Sequence, residues 1–345
     1  MTYALRALRK SPGFSTVAIL SLAIGIGANT TIFTFVNGVL LRPLPYRGSD
    51  RLVVLHERKL DSAEPLNVHP VNFVEWRARA RSFEALALVQ TPPLNVLGSN
   101  GAEQIGRILT TSELFRTFNV NPVLGRAFTD EETRPGSNQV VILGYGFWQR
   151  WFGGDPGVLG RQLAMPDGSL TIVGVAPPGF RIGLTEPDAF TPMTIDPANP
   201  ASTGSRAFQC YGRLSAGVSL DAATAEMTVI ASALQQQYRF NEGMGVFVSG
   251  LHEFLAREAR PGLRLLTAVV VTVLAIACLN LAGLLMARGI GRRGEFAVRA
   301  ALGASRGRLV RQLTIESFVL SSCGGAAGLV IAYWATQALV ALSAG

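Results

Sequence analysis

Charged side chains are missing from three long stretches of the chain: Ser11 to Leu41 (31 residues), Leu265 to Ala287 (23) and Ser317 to Gly345 (29). All three are rich in Leu, Ile, Val, Ala and Phe. A helix crossing a hydrocarbon core about 30 Å thick needs about 20 apolar residues. Each run reaches that length, and the core helices of soluble proteins rarely run so far without a charge. The pattern predicts transmembrane helices over 14–41, 263–287 and 314–344. Gly324, Gly325 and Gly328 weaken the third in water, but small residues are tolerated where membrane helices pack. The first run exceeds the apolar core of a signal peptide, about 7–15 residues, and no A-x-A site follows it, so it reads as an uncleaved anchor.

Between the first two runs, residues 42–262 change to short alternating and amphipathic patterns. Arg51–Leu55 reads as a strand and Pro70–Ala80 as a helix, with Phe73, Trp76 and Ala80 on one face. Asn100-Gly101 predicts a hairpin joining Leu94–Leu97 to Gln104–Leu109. Asp167-Gly168 predicts another joining Gln162–Met165 to Leu170–Val175. Val140–Leu143 reads as a short strand running into an aromatic helix, Tyr145–Phe152. After the Pro-rich stretch Pro177–Pro200 a strand resumes over Arg206–Leu214. A helix over Asp221–Tyr238 follows, with Ser219 or Asp221 in position to cap it, and Val246–Gly250 is a last strand. The β-α pattern near 51–90 and again near 206–250 predicts a subdomain built from about 42–90 and 206–262, with a β-rich subdomain, about 91–205, inserted in it. The expected fold class is an α+β membrane protein with three visible transmembrane helices and a large mixed α/β domain between helices 1 and 2.

Composition agrees: 48% of the 345 residues are apolar and 16% charged, against about 25% charged in soluble domains. The net charge of +8 suggests nucleic acid until it is located. Arg6, Arg9 and Lys10 precede the first run. Seven arginines against Glu295 lie between Arg288 and Arg311, while 42–262 holds 20 basic and 21 acidic residues. Basic residues beside membrane spans follow the positive-inside rule, which places the N-terminus and 288–313 in the cytoplasm and 42–262 outside. With the arginines so explained, a nucleic-acid partner is not expected. Residues 1–13 read as a cytoplasmic amphipathic helix, with Ala4, Leu5 and Leu8 on one face and the basic side chains towards anionic head groups.

No catalytic constellation emerges. His56, His69 and His252 are scattered without a Cys or carboxylate at ligand spacing, so no metal is expected. Cys210 is the only Cys between 42 and 262, which leaves no disulfide within that domain. Gly303-Ala304-Ser305-Arg306-Gly307 matches G-x-S-x-G in letters, but it lacks the preceding strand and the His that a nucleophile elbow needs. It reads instead as a helix end at Gly303 with Ser305 capping the next helix. The chain has two lysines, Lys10 and Lys59, each preceded by Arg, so it contains no Gly-Lys-[Ser/Thr] of a P-loop. Gly25, Gly27, Gly324 and Gly328 are small-residue positions suited to close helix packing; ordinary glycine tolerance and a specific dimer contact fit them equally. The segment from Arg292 to Arg306 is expected to lie on a two-helix elbow, readable as a relay between a soluble partner and the bilayer or as a plain connector.

Arg293-Gly294-Glu295 through Arg299-Ala300-Ala301-Leu302-Gly303-Ala304, followed by Arg308-Leu309-Val310-Arg311-Gln312, resembles the cytoplasmic signature of FtsX-like, MacB-type ABC transporter permeases. Ser11-Pro12-Gly13-Phe14, Leu41-Arg42-Pro43-Leu44-Pro45, Phe152-Gly153-Gly154-Asp155-Pro156 and Val173 to Phe180 are similar to a MacB-like subgroup with duplicated permease modules. The resemblance implies a four-span, non-enzymatic permease of the bacterial inner membrane, with a periplasmic domain over 42–262. It implies that Glu295, Phe296, Arg299, Leu302, Gly303 and Ala304 couple to a separate ABC ATPase subunit. ATP would be used by that partner, and no cofactor is expected on this chain. A homodimer or a second permease half, the lipid membrane and a periplasmic adaptor are the other implied partners. The implied mode is mechanotransmission in efflux or export; an FtsX-like regulator that moves no substrate is the alternative. The chain ends at Gly345 while still apolar, without a fourth span or basic tail, and on this reading is a truncated fragment.

Overall fold

Alternation of apolar side chains along the strands decides how this protein is layered, because each strand must cover two faces of one sheet. The computed structural model describes residues 12–36, 46–62, 64–98, 101–183, 185–196, 206–291, 294 and 306–343. They divide into two units, 43–257 and a helical unit of 1–42 with 258–345, taken separately below. The strands are β1 (Leu52–Lys59), β2 (Pro65–Leu66), β3 (Phe83–Gln90), β4 (Leu94–Gly98), β5 (Gly101–Ile105), β6 (Arg107–Thr110) and β7 (Leu124–Gly125). They continue with β8 (Val140–Leu143), β9 (Gln162–Met165), β10 (Gly168–Val175), β11 (Ala189–Pro192), β12 (Gln209–Leu214) and β13 (Met244–Gly250). The helices are α1 (Pro12–Val36), α2 (Pro70–Arg79), α3 (Leu114–Phe118), α4 (Tyr145–Phe152), α5 (Leu220–Gln237), α6 (Leu251–Gly291) and α7 (Arg306–Ser343).

One sheet runs in the order β13-β1-β12-β3-β6-β11-β8-β10-β7, with β2 beside β1 and β9 beside β10. Strands from the two ends of the domain form one half, and strands from the middle form the other. The halves join where Val89 and Gln90 of β3 pair with Thr110 and Leu109 of β6. Pairing is antiparallel except β6 with β11 and β8 with β10. The β8–β10 pair is parallel, so the chain must cross over between them, and α4 lies in that connection. A single cluster covers one face across both halves: Leu52 and Val54 of β1, Ala87 and Val89 of β3, Ile142 of β8, Tyr211 of β12, and the rings of Phe115, Phe118, Phe180 and Phe190. The residues in alternate positions cover the other face in two separate clusters. Val53, Leu55, Leu86 and Leu88 lie under α2 and α5. Val141, Leu143 and Ile172 lie under Phe147 and Trp148 of α4.

The Gln162–Met165/Leu170–Val175 hairpin, the Val140–Leu143 strand and the Tyr145–Phe152 helix stand where the sequence puts them. The other hairpin differs. β4 pairs only with β5, and the chain leaves at Gly106 so that β6 can enter the main sheet. The Gly106 amide donates to the Asp188 carboxylate, 2.9 Å away. Of the two candidate caps for α5, Ser219 is the one used: its hydroxyl accepts from the Ala222 amide at 3.2 Å. Strands β3 and β11 are additions, β11 lying inside the Pro-rich stretch.

In the helical unit, two helical windows are long and apolar enough to cross a membrane, Arg264–Gly283 and Thr314–Gln337. The apolar stretch of α1, Ser15–Thr31, is shorter than either, although α1 itself has 25 residues. Residues 1–11, which carry the expected amphipathic helix, lie outside the described residues.

Gly144 precedes α4 with no room for a side chain: an added Cβ would overlap the Pro187 carbonyl. Gly146, two residues on, faces open space. Gly144→Ala is therefore expected to cost at least about 2 kcal/mol, and Gly146→Ala to gain about 0.5 kcal/mol through helix propensity. Thermal unfolding of the full chain followed by tryptophan fluorescence should move in opposite directions for the two variants.

Candidate functional site

The domain is entered and left through the same aromatic cluster. At entry, Tyr46 sets its ring edge-on to Phe118 and Phe180, with centroids 5.3 and 6.0 Å away. Its hydroxyl donates to the Arg181 carbonyl (2.9 Å) and accepts from the Arg181 amide (3.0 Å). Burial pushes this phenol above its ordinary range. Two residues later the chain is held by Arg213 of β12, which is 1% exposed. Its Nε donates to the Thr117 carbonyl at 2.7 Å, and its terminal nitrogens donate to the carbonyls of Gly48 (3.1 Å) and Arg47 (3.4 Å). Among the described residues no carboxylate forms an ion pair with it, so carbonyl dipoles meet the buried charge. Gly48 turns left-handed at φ 64°, and a Cβ there would lie 3.2 Å from the guanidinium.

At the exit, β13 ends at Gly250 and α6 begins at Leu251, with no loop between them. Leu251, Phe254 and Leu255, spaced i, i+3, i+4, share one helical face and are buried in the same cluster as Tyr46's neighbours. His56 of β1 packs its ring on Phe254, centroids 4.6 Å apart. Phe247 of β13 has the Arg58 guanidinium 5.9 Å and the Arg257 guanidinium 5.8 Å from its centroid. Arg257 also pairs with Glu253 one turn back, at 2.7 Å. His56 is 4% exposed and its Nε2 is buried without a hydrogen-bond partner. Burial therefore lowers its pKa from 6.5 to about 4.

A second buried polar unit lies on the opposite face of β1. Glu57, 1% exposed, accepts from the His69 amide (2.7 Å) and from Asn72 (2.8 Å), and pairs with Arg206. Asn72 and Asn241 bond reciprocally at 2.9 and 2.7 Å. The unit ties β1 to the start of α2, where His69 caps the helix by accepting from the Val71 amide. Neither Arg213 nor Glu57 stands out as a site in the sequence. The available signal is a charge inside an apolar strand, Tyr211-Gly212-Arg213-Leu214 and Val54-Leu55-His56-Glu57.

The four glycines singled out in the sequence lie in the helical unit. A Cβ on Gly27 would lie 3.1 Å from the Gly328 carbonyl, and one on Gly324 would lie 2.6 Å from the Leu22 Cβ. A Cβ on Gly328 would lie 3.0 Å from the Ile26 Cβ and 3.1 Å from the Ala23 carbonyl, and one on Gly25 would lie 3.3 Å from the Ala277 Cβ of α6. These faces are thus occupied within one chain, Gly27, Gly324 and Gly328 between α1 and α7 and Gly25 against α6. Glu295, Phe296, Arg299, Leu302, Gly303 and Ala304 lie outside the described residues.

Residues 15–230 match the family model of the MacB-like periplasmic core domain, and residues 267–344 match that of the FtsX-like permease C-terminal region. The chain belongs to the FtsX-like, MacB-type permease family. Similar solved structures include the periplasmic region of MacB from Actinobacillus actinomycetemcomitans, 13% identical, covering 65% of this chain and 95% of that one, with a TM-score of 0.46. Another is the extracellular domain of the ABC-type transporter YknZ from Gram-positive bacteria, 14% identical, covering 57% of this chain and 99% of that one, with a TM-score of 0.41. No curated protein matches the chain.

For this permease the cluster offers attachment rather than bond-making chemistry: the segment after α1 and the first turns of α6 are held on one sheet face. His56 makes that attachment sensitive to acid. Above about pH 6.5 the ring is neutral whether the chain is folded or not. Between 6.5 and about 4 the unfolded chain binds a proton that the folded chain does not, so stability falls across that window and levels off below it. The total loss is on the order of 3 kcal/mol, at about 1.4 kcal/mol per pH unit. Urea unfolding of the full chain at stepped pH should show this slope, and His56→Leu should flatten it.

Proposed function

We propose that this chain is the transport permease subunit of an ABC-type system in the bacterial inner membrane. It crosses the membrane with α1, the apolar part of α6 and α7, its N-terminus in the cytoplasm and residues 43–257 outside. A separate ATPase subunit binds at 288–313, uses ATP there, and drives a conformational change in the outer domain that moves substrate. The observation that carries this reading is the double rooting of the domain. Tyr46 with Arg213 at one end, and Leu251, Phe254 and Leu255 at the other, fix both chain segments to one cluster. A movement of α6 therefore reaches the sheet without slack. The arginine distribution supports the orientation, and the absent P-loop supports a separate ATPase. Glycine faces already filled by α1 and α7 leave other surfaces of the helices for a second permease copy or half.

The expected outcome is that an ABC ATPase subunit from the same organism, co-expressed with the full chain, co-purifies with it. Leu302→Asp and Glu295→Lys should each reduce that association about tenfold, equivalent to about 1.4 kcal/mol. Phe254→Ala should leave it intact while abolishing ATP-dependent changes in proteolysis of the outer domain. Undiminished association in both elbow variants would refute the coupling. Labelling of a cysteine at position 300 from outside intact cells would refute the orientation.

A further inference from the structure

A cleft of about 490 Å³ opens between α2 and the turn Glu131–Thr133, within the range of about 300–1,000 Å³ typical of small-molecule sites. Its floor is apolar: Phe73 and Met193 are 2% and 1% exposed, with Val74 and Ile195 beside them. Arg77, Asp130 and Arg134 stand among its polar lining residues. The carboxylates near it are already committed. Asp130 accepts from the Ser112 hydroxyl and lies 3.8 Å from Arg77. Glu113 pairs with Arg77 at 3.2 Å and Arg116 at 3.6 Å. Glu132 pairs with Arg126 at 2.6 Å, and Glu131 does not line the cleft. The two lining hydroxyls are also used: Thr111 accepts from the Leu88 amide and Thr133 donates to the Asp130 carbonyl. The Arg134 guanidinium has no ion pair or side-chain hydrogen bond among the described residues.

We propose that this cleft binds an amphiphile with an acidic head, its chain on Phe73 and Met193 and its carboxylate or phosphate on Arg134. A guanidinium pairs with either head through charge-assisted, bidentate hydrogen bonds. A cationic head would find only carboxylates that are already neutralised, and an uncharged molecule would leave Arg134 unused. The site is independent of ATPase coupling, and it lies apart from the cluster that holds Tyr46 and Phe254.

The test uses the full chain in phosphatidylcholine nanodiscs and decanoic acid with a photoreactive tail. Adducts are expected on peptides containing Val74 or Ile195. Excess decanoate or decyl phosphate should suppress them, the stronger competitor identifying a fatty-acid or a lipid-phosphate head. Decanol and decyltrimethylammonium should compete at least about tenfold less well, the range expected for loss of one charged hydrogen-bond pair. Arg134→Glu should lower adduct yield about tenfold, and Ala78→Trp, at an exposed lining position, should block it, with thermal unfolding unchanged in both. Adducts confined to the apolar helices, equal labelling of Arg134→Glu, or decanol competing as well as decanoate would each overturn the proposal.

Discussion

The domain over residues 43–257 depends on burying one sheet face beneath a row of aromatic rings. Phe115, Phe118, Phe180 and Phe190 pack with centroids 5.4–5.6 Å apart, in the offset and edge-on geometries such rings prefer. They come from α3, the loop after β10, and β11, so no local segment could bury them alone. Both sheet halves end on this surface, which is why the opposite face can carry two unconnected clusters without the domain dividing. The covering face also receives the two chain segments that lead to the helical unit.

Two buried charges are accommodated in contrasting ways. Arg213 has backbone carbonyls for partners, and those carbonyls belong to residues 47, 48 and 117. Removing the guanidinium would leave carbonyl groups unpaired, and removing the turn at Gly48 would leave a buried cation unpaired; either is costly. Glu57 has a guanidinium, an amide side chain and a backbone amide. Each charge joins segments far apart in sequence, so each specifies a tertiary arrangement as well as contributing energy. His56, beside Glu57 on β1, has only a ring contact with Phe254, and burial disfavours its charged form.

Much of this was legible locally. Pro166-Asp167-Gly168 supplies its own turn, and the aromatic spacing in Tyr145–Phe152 makes an amphipathic helix without outside help. The apolar helices were legible because lipid imposes length and lack of charge. What stayed hidden was decided at a distance. Gly106 separates β5 from β6 because of Asp188, 82 positions later. Strand β11 is drawn from a Pro-rich stretch by parallel pairing with β6. Arg213 looks like one more surface arginine until Gly48 and Thr117 are brought beside it. The glycines of α1 and α7 could be singled out only as small residues; which side chain each one faces was not legible.

The seamless passage from β13 into α6 has a consequence for how the family can vary. A helix advances about 100° per residue, so inserting or deleting one residue after Gly250 would rotate Leu251, Phe254 and Leu255 away from the aromatic cluster they fill. Only changes close to whole turns preserve that phase. Length variation in this subgroup should therefore accumulate in surface loops and avoid the strand–helix seam, making the residue count there a kind of gearing inherited with the fold.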